Sequence, residues 1–311
     1  MWKDSDPRDV DGRDEVLWDA RERVEDPRAR DAVDPRDVFH EGLDLPRGRE
    51  REHVFLDGET FELRGSEVRT LATIGAFRVV PVDELLDDRG RGGDLRHGDL
   101  ERLRGADLIR TVGPLDRDEE RHTQLVTLTD RGRELLESHR TPDYEPRQTF
   151  YSGDVRAREL SHDAQLHAAY ERVVERLQDS DVRVHRVVLD HELKREYQSF
   201  LHERDRDRPD ADGRPERDAR EIEQWAHEHD LPFFDGHVQF PDLRIEFEWP
   251  DGRRDVENVE VTTLHYRGAH AAAKVRAGFT RYRGGGGRVG ARTGRKGSRP
   301  FDPDVAGELL G

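Results

Sequence analysis

The sequence predicts an α/β protein in two folded parts, and two observations predict it. One is the element order of the first half, three helical stretches followed by strand, polar loop, strand and helix. The other is the order of the second half, helix, strand, two helices, a strand pair and a helix. At 311 residues the chain suits roughly two domains and is long enough to bury a real core. With 32% hydrophobic and 40% charged residues, part of it is expected to pack poorly.

Residues 1–52 read as a charged, largely extended arm. "DPRD", "DPRA" and "DPRD" begin at Asp6, Asp26 and Asp34, and dense mixed charge with proline buries too little apolar surface to offset chain entropy. Trp2, Trp18 and Phe39 are the residues able to dock on the folded body.

Residues 53–140 form the first folded part. "HVFLDGETFEL" reads as a hairpin around Asp57-Gly58. "GSEVRTLATIGAFRVV" reads as a helix capped by Ser66, with Val68, Leu71, Ala72 and Ile74 on one side. "PVDELLDD" is a second short helix. In "LRHGDLERLRGADLIRTV", Leu95, Leu100 and Leu103 stripe a third helix before a strand. "LVTL" is the next strand, and "TDRGRELLESH" is a helix capped by Thr129. This is the order of a winged helix-turn-helix.

Residues 141–158 read as a linker, and residues 159–283 as the second folded part. "ELSHDAQLHAAYERVVERL" is a helix capped by Ser161, with Leu166, Ala169, Tyr170, Val173, Val174 and Leu177 buried. The strand "VRVHRVVLD", two helices around a charged loop and the strands of "FPDLRIEFEWPDGRRDVENVEVTTLHY" follow, and "GAHAAAKVRAGFTRY" reads as a closing helix. In the strand pair Asp242 opens one strand and Glu260 lies inside the next. Two carboxylates so placed can share a divalent cation that activates water, as in an α/β sandwich of the restriction-endonuclease type. Such a site carries a lysine two residues after the second acid, and here Thr262 stands there. The plainer reading has Asp242 capping the turn after Pro241 and Glu260 paired with an arginine or pointing to solvent.

Charge is unevenly spread. The chain carries −17, yet Arg267–Pro300 holds ten basic residues and no acid, so the remainder carries −27. Residues 284–311 read as a flexible basic tail suited to tracking phosphate. The absence of cysteine excludes disulfides, a cysteine nucleophile and thiolate metal sites. With no membrane-length apolar run and no apolar secretory core, a cytoplasmic location is expected.

"LERLRGADLIRTV" with "VTLTDRGRELLESH" resembles the recognition helix, wing and closing helix of multidrug-resistance-type winged-helix regulators, over residues 61–140. The resemblance implies contact with double-stranded DNA through Arg96, His97, Arg102 and Arg104 in the groove and Arg117, Arg121 and His122 on the wing. Arg283, Arg288, Arg292, Arg295 and Lys296 would add phosphate contacts. Against this, the same side chains read as a solvated helix face and loop, with Asp94, Asp99 and Glu101 diluting their charge.

The whole plan resembles the plasmid replication-relaxation family over residues 61–283. The carrying motifs are His162-Asp163 on a helix, Pro241-Asp242, Glu260 to Thr262, and Lys274 on the following helix. The resemblance implies association with a mobile genetic element, a core related to PD-(D/E)xK nucleases, and relaxase or replication proteins of that element as partners. It makes Asp242, Glu260, Lys274, His162 and Asp163 the candidate catalytic residues. Magnesium or manganese on Asp242 and Glu260 is implied only for an active nuclease, and DNA binding requires no cofactor. Three functions fit: a DNA-binding accessory protein whose nuclease-like part is a scaffold, a magnesium-dependent endonuclease, and a winged-helix transcription regulator. A homodimer is compatible with each.

Overall fold

The computed structural model describes residues 37–85, 97–118, 121–177, 180–203, 217–262 and 276–283, and at 37, 97, 114–118, 121–123, 157 and 158 the backbone alone. The chain is α/β as expected, with helices packed on open sheets.

The first part opens on a hairpin, β1 (Glu52–Leu56) and β2 (Glu59–Leu63). Asp57 and Gly58 both take positive φ, 49° and 82°, as a tight hairpin turn of matching twist requires. Val54, Leu56, Phe61 and Leu63 alternate inward, and Phe55 alternates out to 65% exposure. Helix α1 (Gly65–Phe77) follows. Ser66 is not its cap. The Glu67 carboxylate accepts the Arg64 N–H at 2.9 Å, which makes Arg64 the cap, starts the helix two residues earlier and leaves Ser66 buried in the first turn.

Then come β3 (Val80–Pro81), α2 (Val82–Leu85), α3 (His97–Gly105), β4 (Ile109–Asp118), β5 (Arg121–Leu128) and α4 (Asp130–Ser138). The sheet order is β3-β5-β4, all antiparallel, so the long β4–β5 hairpin projects directly after α3. Thr129 caps α4 as expected, its hydroxyl accepting the Gly132 N–H at 3.0 Å. Gly132 lies against the Leu108 carbonyl, where a side chain has no room.

The second part begins with α5 (Ala157–Leu177), which starts four residues before Ser161, so that expected cap lies inside the helix. Of its predicted stripe Leu166, Ala169, Tyr170, Val173 and Val174 are buried, and Leu177 at the helix end is partly buried against the core. Strand β6 (Arg183–Leu189), α6 (Asp190–His202), α7 (Ala219–Glu228), the small hairpin β7 (Phe233–Phe234) and β8 (His237–Val238), β9 (Leu243–Glu248), β10 (Arg254–Thr262) and β11 (Thr280–Arg283) complete it. The sheet order is β11-β10-β9-β6. The first three strands in chain order pair antiparallel, and β11 runs parallel to β10.

Most of the expected closing helix, residues 268–275, lies outside the described residues, and its last residues are a strand instead. Thr280–Arg283 alternates partly buried and exposed at strand period, and Tyr282 packs on the core while its carbonyl accepts the Thr262 hydroxyl at 3.2 Å. Helix α5 covers one face of this sheet. The other face carries a separate apolar cluster of Val188, Leu193, Trp225, Ala226, Leu231 and Val238.

The two parts share a core. Phe39, Phe77 and Tyr170 meet at centroid distances of 5.3–5.4 Å, joining the segment before the hairpin, the end of α1 and the middle of α5. Residues 37–52 therefore depart from the extended arm: a 3₁₀ turn at Asp37–Phe39 opens a segment that buries Val38, Phe39, Leu43 and Leu45. The connection 141–158 is packed as well. The Gln148 side-chain amide donates to the Val187 carbonyl at 3.0 Å and accepts its N–H at 2.9 Å, so it pairs with edge strand β6 as a neighbouring strand would.

Candidate carboxylate site and nucleic-acid interface

The antiparallel ladders align Leu189, Leu243 and Val259 across β6, β9 and β10. One residue beyond these positions come Asp190, Asp242 and Glu260, so three acidic residues gather along the backbone at one end of the sheet, with the Asp190 carboxylate held by Lys194 at 2.6 Å. Asp190 opens α6 and its N–H donates to the Asp242 carbonyl at 3.2 Å. The sequence reading missed Asp190, although an acid closing the strand "VVLD" is the signal that could have found it.

Asp242 is already engaged. Its Oδ2 accepts the Val261 N–H at 2.8 Å and stands 3.2 Å from His162 Nε2. The other ring nitrogen of His162 lies 3.4 Å from Asp163 Oδ1, and Asp163 Oδ2 is 3.1 Å from Arg78 Nη1, just beyond α1. A chain of charge thus runs from the end of α1 through the start of α5 to the start of β9. Hydrogen bonding to Asp163, then to Asp242, outweighs burial and pushes the His162 pKa up to about 10. At neutral pH His162 is an imidazolium held between two carboxylates.

Glu260 is 2% exposed, which corrects the expectation that it points to solvent. Val259 and Val261 face the α5 core, so Glu260 takes the opposite face of β10. Its register neighbour on β11 is Arg281, and that of Thr262 is Arg283. Lys274 lies outside the described residues, as do Arg288, Arg292, Arg295 and Lys296.

The donor set does not suit magnesium or manganese as arranged. A cationic ring 3.2 Å from Asp242 Oδ2 opposes a second cation at that oxygen, and among the described residues no group of three or more His, Asp or Glu is placed to hold a metal.

In the first part, α3 is fastened from behind by ion pairs. Arg51 reaches Glu67 at 2.7 Å and Asp99 at 3.1 Å, and Arg64 also pairs with Asp99. Asp99 is buried and internally satisfied, so it does not dilute the charge of the exposed face. Arg102 is 53% exposed, 3.9 Å from Glu62 and from Glu67. Arg104 donates to Gln124 on β5 at 3.1 Å and braces α3 against the hairpin. His97 is the first residue of α3, and Arg117, Arg121 and His122 lie on the β4–β5 hairpin, where the backbone register pairs position 116 with 122 and 118 with 121. Arg96 lies outside the described residues.

Comparison of the chain with protein-family models, with curated proteins and with solved structures finds no match. Among the described residues no helix is long and apolar enough to cross a membrane.

Proposed function

We propose that the chain is a DNA-binding accessory protein of a mobile genetic element, of the replication-relaxation kind, in which a winged helix contacts duplex DNA. The observation carrying this reading is the β3-β5-β4 sheet with α3 delivered just before a long hairpin, exposing Arg102. Net charge does not favour it, since His53–Arg140 has 14 arginines against 19 carboxylates. Affinity then draws on the ten-cation stretch Arg267–Pro300.

The second part serves in this reading as a nuclease-like scaffold. Its α5-β6-β9-β10-β11 plan and the Asp242–Glu260 placement support the nuclease likeness. The engagement of Asp242 by His162 and the bond from Thr262 to a backbone carbonyl support the scaffold role over catalysis. Relaxase or replication proteins of the same element are the natural partners.

The test incubates the full chain with supercoiled and linear duplex DNA, with magnesium, manganese or chelator, and reads both mobility shift and nicking. A shift without nicking is expected. Metal-dependent nicking lost in Asp242→Asn would replace the scaffold reading with the endonuclease reading, and no shift at any salt concentration would refute DNA binding.

A further inference from the structure

The cation missing from β10 has a counterpart on the adjacent strand. In the parallel β10–β11 pairing Arg281 lies beside Glu260 and Arg283 beside Thr262. Register partners share a face of the sheet about 4.8 Å apart. Tyr282, between the two arginines, turns to the other face, where it packs on the core beneath the Arg172 guanidinium. Arg281 and Arg283 are both exposed, and neither makes an ion pair among the described residues. By contrast Arg186, Arg217 and Arg276 in this same part each hold a carboxylate, within 2.7–2.8 Å. In a chain with 70 acids and 53 basic residues, two guanidiniums that hold no carboxylate among the described residues, on alternate positions of the last strand described in this sheet, present an anion-binding face.

Building on the proposed DNA-binding role, we infer that Arg281 and Arg283 form a phosphodiester-binding pair, supplying from β11 the positive charge that Thr262 does not supply on β10. Each guanidinium offers a planar fork that matches two phosphate oxygens. The two side chains emerge about 6.6 Å apart along the strand and can engage successive positions of one DNA backbone. Thr262 cannot take this part because its hydroxyl is spent on the Tyr282 carbonyl, a bond that also fixes β11 beside β10. The phosphate so held lies next to Glu260, so the anion and the carboxylate oppose one another and the pair must outweigh that repulsion.

The experiment measures binding of a fluorescent 25-base-pair duplex by anisotropy between about 50 and 200 mM salt, with full-length wild type, Arg281→Gln/Arg283→Gln and Arg281→Lys/Arg283→Lys. Loss of two phosphate contacts should flatten the slope of log affinity against log salt by about two, for every sequence alike, while the lysine variant keeps the wild-type slope. Glu260→Gln separates this site from a general charge effect. It should tighten binding in the wild-type background and do nothing in the Gln/Gln background, a non-additivity that distant charges do not produce. A Gln/Gln slope equal to that of a binding-competent wild type, or an additive Glu260→Gln effect, would overturn the pair alone. Wild type that binds no duplex would overturn the DNA-binding reading together with the pair.

Discussion

Replacing Phe77 by alanine tests whether the two halves fold as one body. Phe77 ends α1, is fully buried, and touches Phe39 at 5.4 Å edge-on, Tyr170 at 5.3 Å and His167 at 5.1 Å edge-on. Truncating a core phenylalanine removes about 3–5 kcal/mol through lost transfer energy and the cavity left behind. The three aromatic contacts place this site near the top of that range. With a urea slope of about 3 kcal/mol/M, a loss of about 4.5 kcal/mol lowers the midpoint by about 1.5 M. The readout can be confined to the other half. The four tryptophans are Trp2, Trp18, Trp225 and Trp249, so with Trp2→Phe and Trp18→Phe the emission reports only the second part. Far-UV circular dichroism reports both parts. Because Tyr170 and Phe39 meet Phe77 in one cluster, both signals should move together by the same amount. A tryptophan midpoint that stays in place while part of the dichroism shifts would refute the shared core and restore two independent domains.

His162→Ala should have a pH-dependent cost. The folded pKa of His162 is raised to about 10 from an ordinary 6.5, so its contribution is complete below about pH 6.5 and disappears as pH rises through 10. About a third of the side chain is exposed, at 35%, and solvent screening reduces the charge-dependent part to about 1–2 kcal/mol. Urea melts of wild type and variant at pH 6, 8 and 10 should show that part shrinking steadily, and a difference that grows with pH would contradict the assigned charge. Arg186→Met should lose about 3 kcal/mol in the same assay, because Glu246, which Arg186 grips at 2.8 and 3.0 Å, and buried Glu192 at 3.8 Å would be left without it. Adding Glu246→Leu to that variant should recover part of the loss. Gly132→Ala should cost at least about 2 kcal/mol although alanine favours helices, since its Cβ would press on the Leu108 carbonyl. A neutral or stabilising result in a thermal melt would show that α4 moves away freely.

What the sequence disclosed was local. Asp57-Gly58 specifies its hairpin, Thr129 specifies the start of α4, and the 3.6-residue stripe from Leu166 to Val174 specifies the buried side of α5, because each signal lies within a few residues of its effect. Phe39 shows the converse. Its neighbours are so charged that composition argues for an extended arm, and only the partners Phe77 and Tyr170, 38 and 131 residues away in sequence, make burial favourable. Thr280–Arg283 likewise follows an alanine-rich stretch, and four residues are too few for period two to show against it. The carboxylates combine both cases. Pro241-Asp242 and Glu260 could be assigned to adjacent strands by reading along the chain, and β9 and β10 bear that out. The state of Asp242 could not be read that way, because His162 comes from 80 residues earlier and Arg78, which holds Asp163, from earlier still. Nor could the neighbour of Thr262 be found without the parallel register that brings Arg283 to it. The chemistry of this site therefore rests on who occupies the lone pairs of Asp242 and which strand delivers the cation. Asp242→Asn will discriminate accordingly: under the scaffold reading it loosens the α5–sheet contact and lowers stability, with DNA affinity nearly unchanged.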